Sequence, residues 1–324
     1  MSSHPPSFFG KDLPISVWNS GVLYIPKALS SAHKEFLLDK GWMAEYQPTL
    51  GGGVGGESAI DAQNHLINRF LNSAARMQFV CSDPNDKQPE VRDMVLDQLG
   101  DGHIYLLDLA AGNGAGTLAM LSLLCELRMQ KAIPKLPLNV VIVGIDYSAE
   151  ALNYYAELLE RIRPWLENYG ISISLSLSVC DLTVTGEFSE VLESFFDDAK
   201  EKNVKRFMCV ISALSGAGKE GWEKMHDSIK ITAAGLSHRK RSSSWLWVEP
   251  HVGKSWPTKF ADSVRLILKK VPFKFFKKGE SYDIQVENGM ELLSNPDTST
   301  FDWFDPHKGA NAKSHVFVMA FRSE

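Results

Sequence analysis

From residue 104 onward, short apolar runs alternate with longer amphipathic stretches, and this alternation constrains the fold more than any other feature of the chain. The run 104–110 (IYLLDLA) is apolar and ends in an acid and small residues, as a strand buried on both faces does. Residues 115–131 are apolar on most sides and read as a helix packed on a sheet. NVVIVGID (139–146) is a second buried strand, and 149–166 places Leu152, Tyr155, Leu159 and Ile162 on one helical face. SISLSLSVCD (172–181) alternates with period two, and Phe188, Val191, Leu192, Phe195 and Phe196 mark another helix. RFMCVISAL (206–214) and WLWVEP (245–250) are strands on either side of a helix at 220–236. A helix at 257–270 follows, and STFDWF (299–304) with HVFVMAFR (315–322) closes the chain as a hairpin-like pair. Such alternation predicts a doubly wound, mostly parallel α/β sheet of seven strands, covered on both faces, with antiparallel edges from the last pair.

The first hundred residues read differently. Leu66, Phe70, Ala74 and Met77, with Ile67 and Leu71 alongside, give one helix. DPND (83–86) is a turn, and a second helix runs over 89–99 with a proline at its start. No alternating strand pattern is present there. Glycines at 51, 52, 53, 55 and 56 form a loop suited to a hinge or strap.

The 324 residues carry a net charge of -5, which argues against a general nucleic-acid binder. Two basic stretches keep RNA open as an alternative acceptor. One is HRKR at 238–241. In the other, over 265–278, Arg265, Lys269, Lys270, Lys274, Lys277 and Lys278 interleave with Phe273, Phe275 and Phe276. Cations hold phosphates and aromatic rings stack on unpaired bases. Cys81, Cys125, Cys180 and Cys209 form no C-x-x-C pair and read as reduced core residues. The start, MSSHPPSFFGKDLP, lacks the basic and apolar regions of a signal peptide, and no run of about 18 apolar residues is available to cross a membrane. A cytoplasmic protein without a membrane partner is expected. The nine histidines show no H-E-x-x-H spacing, so no metal is expected.

The stretch 106–116 (LLDLAAGNGAG) lies where the first strand turns into the first helix, the place where open α/β sheets bind ligands. Gly112 and Gly114 allow a sharp bend and a close approach to a ligand. A dinucleotide fingerprint needs glycine where Thr117 stands, and no G-K-[ST] follows as a P-loop requires. The stretch instead resembles motif I of class I S-adenosylmethionine-dependent methyltransferases, a D-x-G-x-G-x-G-like turn. Asp108 matches its acid, Gly112 and Gly114 its later glycines, and Ala110 stands where the family has its first glycine.

GIDYS (144–148) is similar to the end of the family's second strand, which implies that Asp146 grips the ribose hydroxyls. VCDLT (179–183) is similar to the third-strand motif, which implies that Asp181 accepts from the adenine amino group with Leu182 near the ring. ISAL (211–214) takes the fourth-strand position beside the methionine. The resemblance spans roughly residues 100–324. It implies S-adenosylmethionine as cofactor, held by Asp108, Ala110, Gly112, Asn113, Gly114, Asp146, Tyr147, Asp181, Leu182 and Ser212. It also implies a Rossmann-like methyltransferase domain over 101–324, with 1–100 as a mainly helical cap that recognises substrate.

The implied reaction is an in-line displacement at a sulfonium methyl, which needs alignment more than a covalent protein group. SALS (212–215) replaces the Asn/Asp-Pro-Pro-aromatic motif of enzymes that methylate amino groups of adenine, cytosine or glutamine. Cys209 lies within a strand, which disfavours pyrimidine C5 chemistry. A small-molecule or protein acceptor is therefore expected. Glu249 and His251, after strand five, are the candidate catalytic groups. Tyr46 and His65 are candidate substrate contacts above the pocket, while His307 and His315 read as structural. A methyltransferase-like subunit that binds or assembles without catalysis is the other open reading, supported by Ala110 and the missing strand-four motif.

Overall fold

At the centre of the sheet lies β3 (Gly102–Leu109), whose last six residues are all buried. The computed structural model describes residues 13–48, 58–212, 214, 218–237, 241–250, 273–277, 280–284, 290–294 and 298–323. On one side β3 pairs in parallel with β4 (Leu138–Asp146), which pairs with β5 (Ile171–Val179). On the other side it pairs in parallel with β6 (Arg206–Ser212), which pairs with β7 (Ser242–Glu249). β5 is the edge, and its period-two sequence follows from having one face half in solvent. Beyond β7 the sheet turns antiparallel through β12 (Ala310–Ser323) and β11 (Thr298–Asp305). The order β5-β4-β3-β6-β7-β12-β11 is the expected seven-stranded, doubly wound, mostly parallel sheet.

Three short strands extend it. β1 (Trp18–Asn19) and β2 (Val22–Tyr24) lie outside β11, with β2 parallel to it, and β10 (Met290–Leu292) pairs with β12. A separate hairpin joins β8 (Phe273–Lys277) to β9 (Glu280–Ile284). The early segment therefore contributes strands as well as helices. Two- and three-residue strands carry too little periodicity to be seen in a sequence, and only pairing with β11 defines them.

Alternation along each buried strand divides the core. Ile104, Leu106, Ile142, Val210 and Leu246 face α1 (Lys27–Asp39), α2 (Ala59–Ser82), α3 (Pro89–Leu99), α4 (Ala115–Met129) and α5 (Ala149–Asn168). Tyr105, Leu107, Leu109, Cys209, Trp245 and Trp247 face α6 (Thr185–Glu201) and α7 (Gly218–Leu236). Helices from the first hundred residues thus share one continuous core with the sheet. All four cysteines are buried and unpaired. The expected helix at 257–270, the glycine loop at 51–56 and the basic positions 238–240 lie outside the described residues.

Candidate functional site

The turn after β3 is built from three left-handed residues: Ala110, Gly112 and Gly114 have φ of 50°, 53° and 73°. Glycine adopts this region freely, whereas Ala110 does so against its own Cβ at a cost of about 1–3 kcal/mol. A Cβ at Gly114 would sit 2.2 Å from Tyr155 Cδ2, because the Tyr155 ring on α5 fills that place. At Gly112 a Cβ would meet no described atom within 4 Å, so this side of the turn is open. Asn113, between the two, is buried.

Asp146 closes the turn from β4. Its Oδ2 accepts from the Gly112 N–H at 2.8 Å and its Oδ1 from the Ser148 N–H at 2.8 Å. Burial raises its pKa, and these backbone donors oppose the rise. The Tyr147 N–H is a third backbone donor to it, and since a carboxylate has about four lone-pair directions, one acceptor position remains. Asp108 lies behind the turn and is only 2% exposed. Its Oδ2 accepts from the Thr117 hydroxyl at 2.6 Å, which joins the end of β3 to the start of α4. Burial pushes its pKa up to about 7, with the Asp146 charge adding to the rise. Thr117, which breaks the dinucleotide fingerprint, is thus the partner of the motif's acid.

The other expected cofactor residues divide between edge and core. Tyr147 and Asp181 are exposed past the ends of β4 and β5, and Asp181 Oδ1 accepts from the Thr183 N–H at 2.8 Å. Leu182 is buried in the α6/α7 core, and its carbonyl accepts from Ser228 Oγ at 2.6 Å. Ser212 ends β6 beside Gly116, where a Cβ would lie 2.9 Å from Ser212 Cβ and 3.1 Å from Met77 Cε. α2 therefore reaches the carboxyl edge of the sheet.

Glu249, at the end of β7, is 3% exposed. Its Oε1 accepts from the Leu214 N–H and from Trp247 Nε1, each at 2.7 Å, so it ties the loop after β6 to β7. The charge of Arg76 on α2 faces it. His251 lies outside the described residues. His65 sits on α2 with a buried Nε2 that has no partner among the described residues. Its pKa is lowered to about 4 by burial and by Arg69 and Arg76, with Asp61 opposing.

Tyr46, expected above the pocket, is buried. Its hydroxyl donates to Asp305 Oδ2 at 2.9 Å, and its ring packs edge-on against His307 and His33. His33 is fully buried. Its Nε2–H donates to the Leu66 carbonyl at 2.9 Å, which leaves Nδ1 to accept from His307 Nε2 at 2.9 Å. The register Phe317↔Glu249 carries β12 from 317 back to 310, roughly 20 Å past the end of β7. This cluster fastens α1 and α2 to that arm. His315, also read as structural, pairs with Thr300 Oγ1 at 2.9 Å.

Sequence reasoning missed His33, Arg69 and Arg76. The spacing 65, 69, 76 places three basic residues on one helical stripe, which was the available signal. From the HRKR run, Arg241 stacks on Phe196 at 3.9 Å and donates to the Gly235 carbonyl, so this cation is used in packing. Among the described residues, no helix is long and apolar enough to cross a membrane. No three His, Cys, Asp or Glu side chains among them gather as metal ligands would.

No protein-family model and no curated protein matches the sequence. Solved structures do resemble the chain remotely. The plantazolicin methyltransferase BpumL, in complex with SAH, has 10% identity over 93% of this chain and 96% of its own, with a TM-score of 0.35. An S-adenosylmethionine-dependent methyltransferase from Clostridium acetobutylicum has 13% identity over 82% of each chain and a TM-score of 0.31. Precorrin-6y C5,15-methyltransferase from Geobacter metallireducens has 10% identity over 73% of this chain and 89% of its own, with a TM-score of 0.33.

Proposed function

We propose that the chain is an S-adenosylmethionine-dependent methyltransferase acting on a small molecule or a protein side chain. The observation that supports this best is the junction of the glycine turn with the second-strand acid, the Gly112 N–H to Asp146 bond of 2.8 Å. It fixes a carboxylate with a spare lone pair beside the open face of Gly112, as a ribose hydroxyl beside a closely approached backbone requires. Tyr147 and Asp181 lie where an adenine ring would follow, and Ser212 with Gly116 lies on the methionine side. Bound there, the cofactor supplies a methyl group on a positively charged sulfur.

The protein's part is alignment and exclusion of water. Asp108, through Thr117, holds α4 against β3 so that the turn keeps its shape. Glu249 acts as a positioning residue, because its oxygen is committed to the Leu214 N–H and the Trp247 indole. The arm of β11 and β12, with α1 and the start of α2, forms the cap that walls the acceptor side.

Thermal unfolding with S-adenosylmethionine or S-adenosylhomocysteine tests the reading. Ligand at 100 times its Kd adds about 2.7 kcal/mol, which is roughly 4 °C for a chain of this size. Asp181→Ala, at an exposed position, should keep the unliganded Tm and reduce the ligand shift. Asp146→Ala should abolish the shift, and because it also frees the backbone N–H groups of Gly112, Tyr147 and Ser148 it is compared with Asp181→Ala. No shift with either ligand at millimolar concentration would favour the non-catalytic subunit instead.

A further inference from the structure

Along α2, His65, Arg69, Asn72 and Arg76 recur at three- and four-residue spacing and form one polar stripe on a helix otherwise embedded in the core. Buried polar groups are costly unless paired, so each side chain needs a partner. Asn72 Oδ1 accepts from Ser314 Oγ at 2.7 Å, and Arg76 Nη2 donates to Ser73 Oγ at 2.8 Å. Arg76 also has the Glu249 charge opposite it. Asp61, at the start of the stripe, is engaged in the capping box with Ser58. Arg69 is half-buried, and neither a carboxylate nor a hydrogen-bond acceptor meets it among the described residues; burial alone depresses its pKa. Beside it, His65 Nε2 is buried and has no partner among the described residues. Glu249 is thus set against Arg76, and among the described residues no carboxylate is set against Arg69.

The position of the stripe indicates what supplies that charge. Asp146 ends β4 and Asp181 lies just past the end of β5, on one side of β3. Glu249 ends β7, two strands away on the other side, about 10 Å from the β3 axis. A cofactor whose nucleoside lies over β4 and β5 has its reactive end over β3 and β6, where Met77 of α2 meets Gly116 and Ser212. On that reading the methyl acceptor approaches from the side of β7 and the α2 stripe.

We infer that Arg69, with His65 beside it, seats an anionic group of the acceptor, a carboxylate or a phosphate. This rests on the methyltransferase reading and assigns its substrate class. The guanidinium offers a planar fork of donors to either anion, and the neutral imidazole offers one further donor or acceptor.

Thermal unfolding of the full chain, with and without S-adenosylhomocysteine, tests the site using benzoate and inorganic phosphate as anions and benzamide as the neutral control. At least one anion should raise the Tm of the wild-type chain and benzamide should not. Arg69→Gln should weaken that anion's binding about 10- to 100-fold while keeping the S-adenosylhomocysteine shift. Without ligand, Arg69→Gln should be at least as stable as wild type, because it removes a half-buried cation that no described carboxylate offsets. An unchanged anion response in Arg69→Gln, or none in wild type, would overturn the assignment. So would an equal loss of S-adenosylhomocysteine binding, which would place the cofactor's own carboxylate on Arg69. An Arg69-dependent anion shift without any S-adenosylhomocysteine shift would keep the anion site and refute the methyltransferase reading.

Discussion

At the glycine turn two carboxylates are buried among backbone N–H groups and hydroxyls; at the β11–β12 arm two imidazoles are buried against each other, a phenol and Asp305. Both clusters join segments distant in sequence, and both shift the charge state of a buried group, but in opposite senses. Asp108 holds its proton up to about pH 7 in the folded chain, against an ordinary carboxylate value of 3.8. The stability linked to that proton is complete below about pH 3.8 and is lost as pH rises toward 7. His33 is lowered from 6.5 to about 3. Its contribution is complete above about pH 6.5 and is lost as pH falls toward 3. The turn therefore favours acid and the arm favours neutral pH, and the two contributions oppose each other between about pH 3.8 and 6.5. Asp108→Asn should unmask a Tm that rises with pH up to about 6.5, and His33→Gln a Tm that falls as pH rises from about 3.8 to 7. A curve unchanged by both variants would refute the pairing.

Substitutions separate the clusters further. The largest effect is expected at Gly114→Ala, whose new methyl group overlaps the Tyr155 ring: a loss of about 4 kcal/mol or more by chemical denaturation. Gly112→Ala meets open space and should cost only about 1–3 kcal/mol of backbone strain, yet should still weaken cofactor binding. If the two variants were equally unstable, the turn would be closed on both sides. At the arm, His33→Leu strips the partner from the Leu66 carbonyl and from His307, at a cost of about 2–3 kcal/mol. Tyr46→Phe should cost about 1–2 kcal/mol and leave cofactor binding unchanged. The smallest effect has the opposite sign: Ala110→Gly relieves a left-handed alanine and should stabilise by about 1 kcal/mol.

The turn was legible in the sequence and the arm was not, for a physical reason. A buried parallel strand is written as an apolar run, and a ligand turn as an acid followed by small residues, so β3, β4, β6 and the 108–114 motif stand out locally. His33 lies in α1 at positions where Leu29, Phe36 and Leu37 supply helical spacing, but a polar residue on the apolar face obscured the pattern. Its meaning depends on His307, 274 residues away. Glu249 shows the same limit. Its location at the end of a strand was readable, whereas its commitment to Trp247 and Leu214 needed the fold. Leu182, expected near an adenine ring, also packs in the α6/α7 core, a contact visible only in the fold.

The pairing of β2 with β11 has a consequence for how the protein is made. Val22, Leu23 and Tyr24 find their partners only at Asp302, Trp303 and Phe304. At about 5–20 residues per second, a ribosome needs on the order of tens of seconds to pass from one set to the other. Throughout that interval α1 and α2 have emerged without the arm on which His33 and Tyr46 close. The apolar face they share with the sheet is then open to the solvent and to other nascent chains. Such long-range pairing also slows refolding, since loop closure must precede the contacts that reward it. A chain cut before residue 298 would keep the glycine turn and lose the seam that joins its beginning to its end.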